Sequence, residues 1–295
     1  MKKHLLSLLT VAAGMLAASC SQEPKRPDHI IVVIEENHGY DEVIGSVNAP
    51  FITALSKEGA LFTDAHGVIH PSQPNYLAIF SGSTQGVTGD NCLDSVSPYH
   101  TPNLAASLID KGFTFGGFAQ NLPSAGAKDC TYLKSSLTGF ALYARKHAPW
   151  VNWQGDGDNN IPASLSRPMT AFPKDFSKLP TVSFVIPDMD NDMHNIGAPG
   201  DDAAIQRGDK WLKENLSAYV KWAKTHNSLL IVTFDEDDFK TVNHIPTIFA
   251  GEHIKPGQYS ETINHYSVLH TIQKMYDLPV EDTTANANPI TNIWR

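Results

Sequence analysis

Three apolar, β-branched runs in this chain end directly in polar, mostly acidic residues. Residues 31–34 lead into Glu35, Glu36 and Asn37, residues 182–186 into Pro187 and Asp188, and residues 230–234 into Asp235, Glu236, Asp237 and Asp238. Runs of this kind read as buried strands of a parallel sheet, and ligands of open α/β sheets sit outside the carboxyl ends of the strands. The three endings therefore deliver oxygen donors to one edge. Converging carboxylates repel one another and stay ionised together only where a cation holds them. Glu36, Asn37, Asp235 and Glu236 offer hard oxygens, and His194 and His265 add imidazoles. That mixture suits zinc, manganese, iron or calcium better than copper, so one or two divalent ions are expected, their identity left open.

A nucleophile candidate, Ser72, lies in His70-Pro-Ser-Gln-Pro-Asn-Tyr-Leu77, where two prolines stiffen the loop before an apolar helical stretch, 76–80. A serine there reads first as a helix N-cap. The same helix end also lets backbone N–H groups face a phosphate. No G-x-S-x-G, Walker A, H-E-x-x-H or G-x-G-x-x-G motif occurs, which removes the simplest esterase, kinase-like, zincin and dinucleotide readings. Asp188, Asp190 and Asp192 form a D-x-D-x-D run, but an EF-hand needs glycine and glutamate where this chain has Met193 and Pro199. Asp192 and His194, two residues apart, can instead reach one ion from a loop.

The elements that must position these groups follow from periodicity. Strands are expected at 29–34, 181–186, 228–234 and 245–249, and helices at 49–58, 102–111, 201–226 and 265–276. Gly116 and Gly117 break the strand-like 113–119, and the irregular 124–178 reads as an elaboration over the sheet. The fold class is α/β: a largely parallel sheet with helices on both faces, forming a single domain over 29–295. Residues 1–19 read as a secretory signal, with Lys2 and Lys3 before an apolar run. Leu16-Ala-Ala-Ser-Cys20 resembles a lipobox, which would lipidate Cys20 and leave 20–28 as a tether. An exported chain sits in oxidising conditions, so Cys92 and Cys130 are expected to pair. The net charge of −9 becomes −11 without Lys2 and Lys3, since 20 basic residues then face 31 acidic ones. That balance disfavours nucleic acid or an anionic membrane surface as the main partner.

The blocks Ile34-Glu-Glu-Asn-His38, His70 to Leu77, Tyr143-Ala-Arg-Lys-His-Ala-Pro149, Pro187 to His194, Thr233-Phe-Asp-Glu-Asp237 and Asn264-His-Tyr-Ser-Val-Leu-His-Thr271 together resemble the bacterial phosphoesterase family. That family comprises acid phosphatases and phospholipases C within the alkaline phosphatase-like superfamily. The resemblance implies an alkaline phosphatase-like sandwich with Ser72 as the nucleophile and as a metal contact. It implies metal ligation by Glu36, Asn37, Asp235 and Glu236, with Asp192, His194 and His265 at a second ion or at the substrate phosphate. It also implies that Asn75 and Lys146 hold the phosphate and that His147 or His265 protonates the leaving group. One departure is Asp237-Asp238-Phe239, where the family commonly continues with glycines. Another is Asn75-Tyr76 after Pro74, where a sulfatase would carry arginine.

The expected function is an exported, metal-dependent phosphomonoesterase of a small-molecule or lipid phosphate ester, acting through a phosphoseryl intermediate. A phosphodiesterase or phospholipase C is the related alternative, and a non-catalytic cell-surface binding lipoprotein is the alternative of another class. The expected location is the bacterial cell envelope, periplasmic or on the surface, with the membrane touched only through the lipid anchor.

Overall fold

The computed structural model describes residues 24–295 apart from 96, 241 and 281, so the expected signal segment and Cys20 lie outside the described residues. The chain opens with β1 (His29–Glu35), the short α1 (Tyr40–Val43) and α2 (Pro50–Glu58). Next come β2 (Ala60–Phe62), β3 (Ala65–His66), α3 (Ser72–Ser81), α4 (Leu104–Asp110) and β4 (Phe115–Ala119). The middle supplies β5 (Thr131–Lys134), β6 (Ala141–Ala144) and β7 (Ser166–Pro168). The last part holds β8 (Val182–Ile186), α5 (Asp201–Ala223), β9 (Ser228–Phe234), β10 (Thr247–Gly251), β11 (Gly257–Tyr259), β12 (Ile263–Asn264), α6 (His265–Met275) and α7 (Asp282–Ala285).

Eight strands form the central sheet in the order β11-β2-β10-β9-β1-β8-β4-β7. Only β10 runs against the others, pairing antiparallel with both β9 and β2. β1 lies between β8 and β9 and parallel to both, so the carboxyl ends of all three open side by side. Every residue of β8 and β9 is buried, as continuous apolar runs in a sheet covered on both faces require. Successive side chains of a strand point to opposite faces. Glu36, just past β1, meets Ser72 at the head of α3. Glu35 is buried with neither carboxylate oxygen hydrogen-bonded, while α3 packs against α6 and α5 against α2.

Local chemistry sets the helix ends. Asn103 caps α4 by accepting from Ala106 N–H, so the helix starts at Leu104 rather than at 102. Asn264 caps α6 through the Tyr266 and Ser267 N–H groups. α5 stops at Ala223, three residues before the expected end, and the chain turns through Asn227 in the left-handed region to enter β9. Residues 245 and 246 stay outside β10, whose ladder begins at Thr247.

The structure corrects the reading of Gly116 and Gly117 as a break. Both lie inside the continuous β4, paired to β8 from Phe115 to Ala119. A Cβ on Gly117 would fall inside the indole of Trp150, so glycine here admits a large ring onto the strand. The middle segment is also more than an elaboration: β7 extends the main sheet beside β4, and β5 and β6 form a separate antiparallel hairpin. Trp150 and Trp153 are fully buried and pack the core. A disulfide joins Cys92 to Cys130 with the Cα atoms 5.7 Å apart, tying the loop after α3 to the start of the hairpin. Among the described residues no helix is long and apolar enough to cross a membrane.

Candidate active site

Ser72 is the first residue of α3, and Pro71 occupies the cap position. The N-cap reading is therefore wrong for this serine, because its side chain turns away from the helix toward acidic groups. Its hydroxyl lies 3.0 Å from Glu236 Oε1 and 3.2 Å from Glu36 Oε2. Lys146 Nζ approaches the same Oγ at 3.4 Å. Ser72, Glu36 and Glu236 are all almost wholly buried, so a nucleophile, two proton acceptors and a cation meet where water screens poorly.

The second half of the site surrounds Glu36 from the other side. His147 Nε2 lies 2.8 Å from Glu36 Oε1, and its Nδ1 lies 3.1 Å from Asp192 Oδ2. The ring stacks on Tyr76 with centroids 4.9 Å apart. Glu36, His147 and His194 each present a donor atom within 4.8 Å of the others. Asp192 also accepts from the His194 N–H, fixing the start of that loop turn. Burial pushes the Glu36 carboxyl up, but His147 and Lys146 outweigh it and hold the group far below the usual carboxylate range. Burial lifts Asp192 to about 7, and burial together with Glu36 lifts Glu236 to about 8. Asp235 is raised well above its ordinary value by the same two causes.

These carboxylates lack sufficient positive charge nearby to stay ionised together, and several buried lone pairs find no hydrogen-bond donor. Asn37 Oδ1, Asp235 Oδ2 and His265 Nδ1 are such atoms. Asp235 Oδ1, by contrast, accepts from the Asn37 and Glu236 N–H groups, locking the two strand-end loops together. His265 Nε2 lies 2.7 Å from the Asp235 carbonyl oxygen, and burial lowers its pKa to about 4. A neutral imidazole that donates one N–H to a backbone carbonyl keeps its other nitrogen as a lone pair, the arrangement typical of metal-ligating histidine. The donor set thus fits a divalent cation. Glu36 stands between an oxygen group (Asn37, Ser72, Asp235, Glu236) and an imidazole group (His147, His194).

Some expected residues serve other ends. Asn75 does not face the site: its Oδ1 accepts from the Val68 and Ile69 N–H groups, and its Nδ2 donates to the Ile69 and Pro71 carbonyls. With that capacity taken up by the loop behind Ser72, it holds no phosphate oxygen. His147 is buried with both ring nitrogens within ion-pair distance of carboxylates, Glu36 and Asp192, although its Nε2 makes no aligned hydrogen bond. Asp188 organises its own loop by accepting from the Asn191 side chain and the Asp190 and Asn191 N–H groups. His244 stacks on Tyr40 beside the Thr63 carbonyl. His38 contacts the Glu36 carbonyl, and His70 sits 2.6 Å from Glu236 and 3.2 Å from Asp237, so both brace the ligand strands.

Asp90 is the site residue that motif reading missed. One carboxylate oxygen accepts from the Gln73 N–H at the head of α3, and the other lies 2.8 Å from Lys146 Nζ. It thus couples the nucleophile's helix to the site's lysine. No local pattern marks it; the disulfide two residues later is the nearest signal.

The phosphoesterase family profile matches residues 46–279 of this chain. The chain is similar to the phosphatidylinositol-3-phosphatase of Mycobacterium tuberculosis, 48% identical over 268 residues that cover 90% of this chain and 82% of the relative. It is 29% identical over 252 residues to an acid phosphatase of Aspergillus fumigatus, covering 83% of this chain and 54% of that one. The chain therefore spans about half the length of that fungal relative. Its fold matches a protein in the alkaline phosphatase superfamily from Vibrio parahaemolyticus with a TM-score of 0.59 and 13% identity, over 87% of this chain and 67% of the other.

Proposed function

Because the chain belongs to the phosphoesterase family and is a hydrolase of phosphoric esters, we propose that it is a metal-dependent phosphomonoesterase with Ser72 as its covalent nucleophile. The observation that carries this reading is the Ser72 hydroxyl between Glu36 and Glu236 with Lys146 beside it. Ser72 Oγ attacks phosphorus, its proton passes to a neighbouring carboxylate oxygen, and the ester P–O bond breaks to give a phosphoserine and an alkoxide, which takes that proton from the carboxyl group and leaves as the alcohol. Water then cleaves the phosphoserine, restoring Ser72 and releasing phosphate. Lys146 holds a non-bridging phosphate oxygen. Burial opposes its charge, but Glu36 and Asp90 prevail and raise its pKa above the ordinary lysine value. A bound divalent cation, held by Glu36, Asn37, Asp235 and Glu236 with the imidazoles of His194 and His265 nearby, would neutralise charge on the transferring group.

The relatives' names, a phosphatidylinositol-3-phosphatase and an acid phosphatase, both denote monoester chemistry and support that choice over a diesterase. At equal concentration with added divalent cation, hydrolysis of 4-nitrophenyl phosphate is expected to exceed that of bis(4-nitrophenyl) phosphate by about 100-fold, two decades of transition-state preference or about 2.7 kcal/mol. The reverse preference assigns the site to a phosphodiesterase or phospholipase C. Loss of both activities under every cation leaves a binding lipoprotein.

We further propose that the chain is exported and lipid-anchored through Cys20. Pro27 and Asp28 bind at the amino edge of the sheet, through Tyr276 and Asn227. Ser72 lies beyond the carboxyl ends, a strand length of roughly 23 Å away at about 3.3 Å per residue. A tether from Cys20 would join the described domain at the edge opposite Ser72.

A further inference from the structure

Beside Ser72 opens a cavity of about 390 Å³ whose lining is divided by chemistry. Its lining holds the polar side chains of Gln73, Asp90, Lys146 and His194, of which Lys146 reaches Ser72 Oγ at 3.4 Å, together with the apolar Phe140, Ala141 and Met189. The volume falls in the range of small-molecule sites, about 300–1,000 Å³. Proposed catalysis uses Lys146 and His194 and leaves the apolar lining without a role.

The apolar lining is built rather than incidental. Met189 is fixed between the β5–β6 hairpin and its own loop, with its N–H on the Leu142 carbonyl and its carbonyl accepting from the Asn195 N–H. The Ser135 N–H donates to the Phe140 carbonyl and closes the hairpin turn that presents Phe140 at the rim, 67% exposed. The Cys92–Cys130 disulfide lies in the same lining. Arg145 does not make the cavity a second anion site, because its guanidinium lies 2.7 Å from Asp94 and donates to the Lys128 carbonyl. An exposed phenylalanine on a stiffened turn, sharing the apolar lining with a methionine, suits an aromatic ring, since thioether and ring contacts both favour one.

Building on the phosphomonoesterase reading, we propose that this cavity is the leaving-group subsite and selects phosphate esters whose alcohol carries an aromatic ring. Phe140 and Met189 are then specificity-determining residues, touching the departing alcohol while the phosphate lies at Lys146 and Ser72.

Binding of non-hydrolysable phosphonates to the cation-supplemented protein tests this without relying on turnover. Benzylphosphonate is expected to bind about tenfold or more tightly than methylphosphonate, the discrimination an apolar pocket supports for a few added carbons. Phe140→Ser should remove most of that preference and leave methylphosphonate binding unchanged. Ala141→Leu, which fills the hollow from the strand, should do the same, and it guards against a local rearrangement at the turn. Equal binding of the two phosphonates by the unmodified protein overturns the proposal, as does parallel weakening of both in the two variants. A benzyl preference in a protein that hydrolyses no monoester would leave the subsite standing and sink the phosphatase reading. Hydrolysis without that preference would do the opposite.

Discussion

Replacing Ser72 with alanine is expected to lower monoester turnover by about 10⁴-fold or more while the protein stays folded. Removing a nucleophile that works as a unit with its partners costs several orders of magnitude, because the remaining groups still bind substrate but have nothing to form the covalent bond. The fold should tolerate the change. The Ser72 side chain donates to Glu36 and Glu236 and contacts Lys146, and it caps no helix. Alanine also suits the first turn of α3. Rate measurements on 4-nitrophenyl phosphate, paired with a thermal melt of the variant, check both halves. Turnover within tenfold of the unmodified protein would remove Ser72 from the chemistry.

Stripping divalent cation with a chelator should abolish activity and lower the melting temperature, with the loss growing as pH rises. The sign follows from the buried acids. Burial lifts Asp192 to about 7 and Glu236 to about 8, so between the ordinary carboxylate range near 4 and these values the folded chain binds more protons than the unfolded one. The contribution of these two acids to the stability of the cation-free protein is therefore full below about pH 4 and is lost as pH climbs toward 8. A cation that takes the place of those protons offsets the loss. At a concentration 100-fold above its dissociation constant it adds about 2.7 kcal/mol, which corresponds to roughly 5 °C or more in a domain of this size. Melts at pH 5 and pH 8, with chelator and with zinc, manganese or calcium, measure the difference. Melting temperatures that ignore both chelator and cation at pH 8 would contradict the metal assignment.

Much of this site is readable in the chain because its donors follow strands. Glu36, Asp235 and Glu236 sit where apolar runs stop, and a parallel sheet brings such ends together whatever the detailed topology. Ser72 stands out through the stiff loop around it, although its own helix position suggested a cap. The structure withholds that role because Pro71 takes the cap position, and the Ser72 hydroxyl meets Glu36 and Glu236 instead. Asn75 shows the limit of motif transfer: its neighbourhood matches a phosphate-binding asparagine, yet its amide meets backbone groups that only the folded loop reveals. Asp90 and the mixed lining of the cavity depend on contacts between residues far apart in sequence, which no periodicity encodes. Gly117 is the same lesson in the core, since its need for space is set by Trp150 and not by its neighbours on the strand. The reversal of β10 likewise follows from its pairing with β2 and β9 rather than from its composition.

The central claim is a covalent phosphoryl group on Ser72. Mixing the protein with a monoester, quenching in acid within the first turnovers and measuring the peptide that carries Ser72 by mass spectrometry tests it most directly. The account predicts one added phosphoryl group, localised to Ser72 and missing from the Ser72→Ala variant. Full turnover with no phosphorylated peptide at any quench time, or a phosphoryl group on another residue, would contradict it.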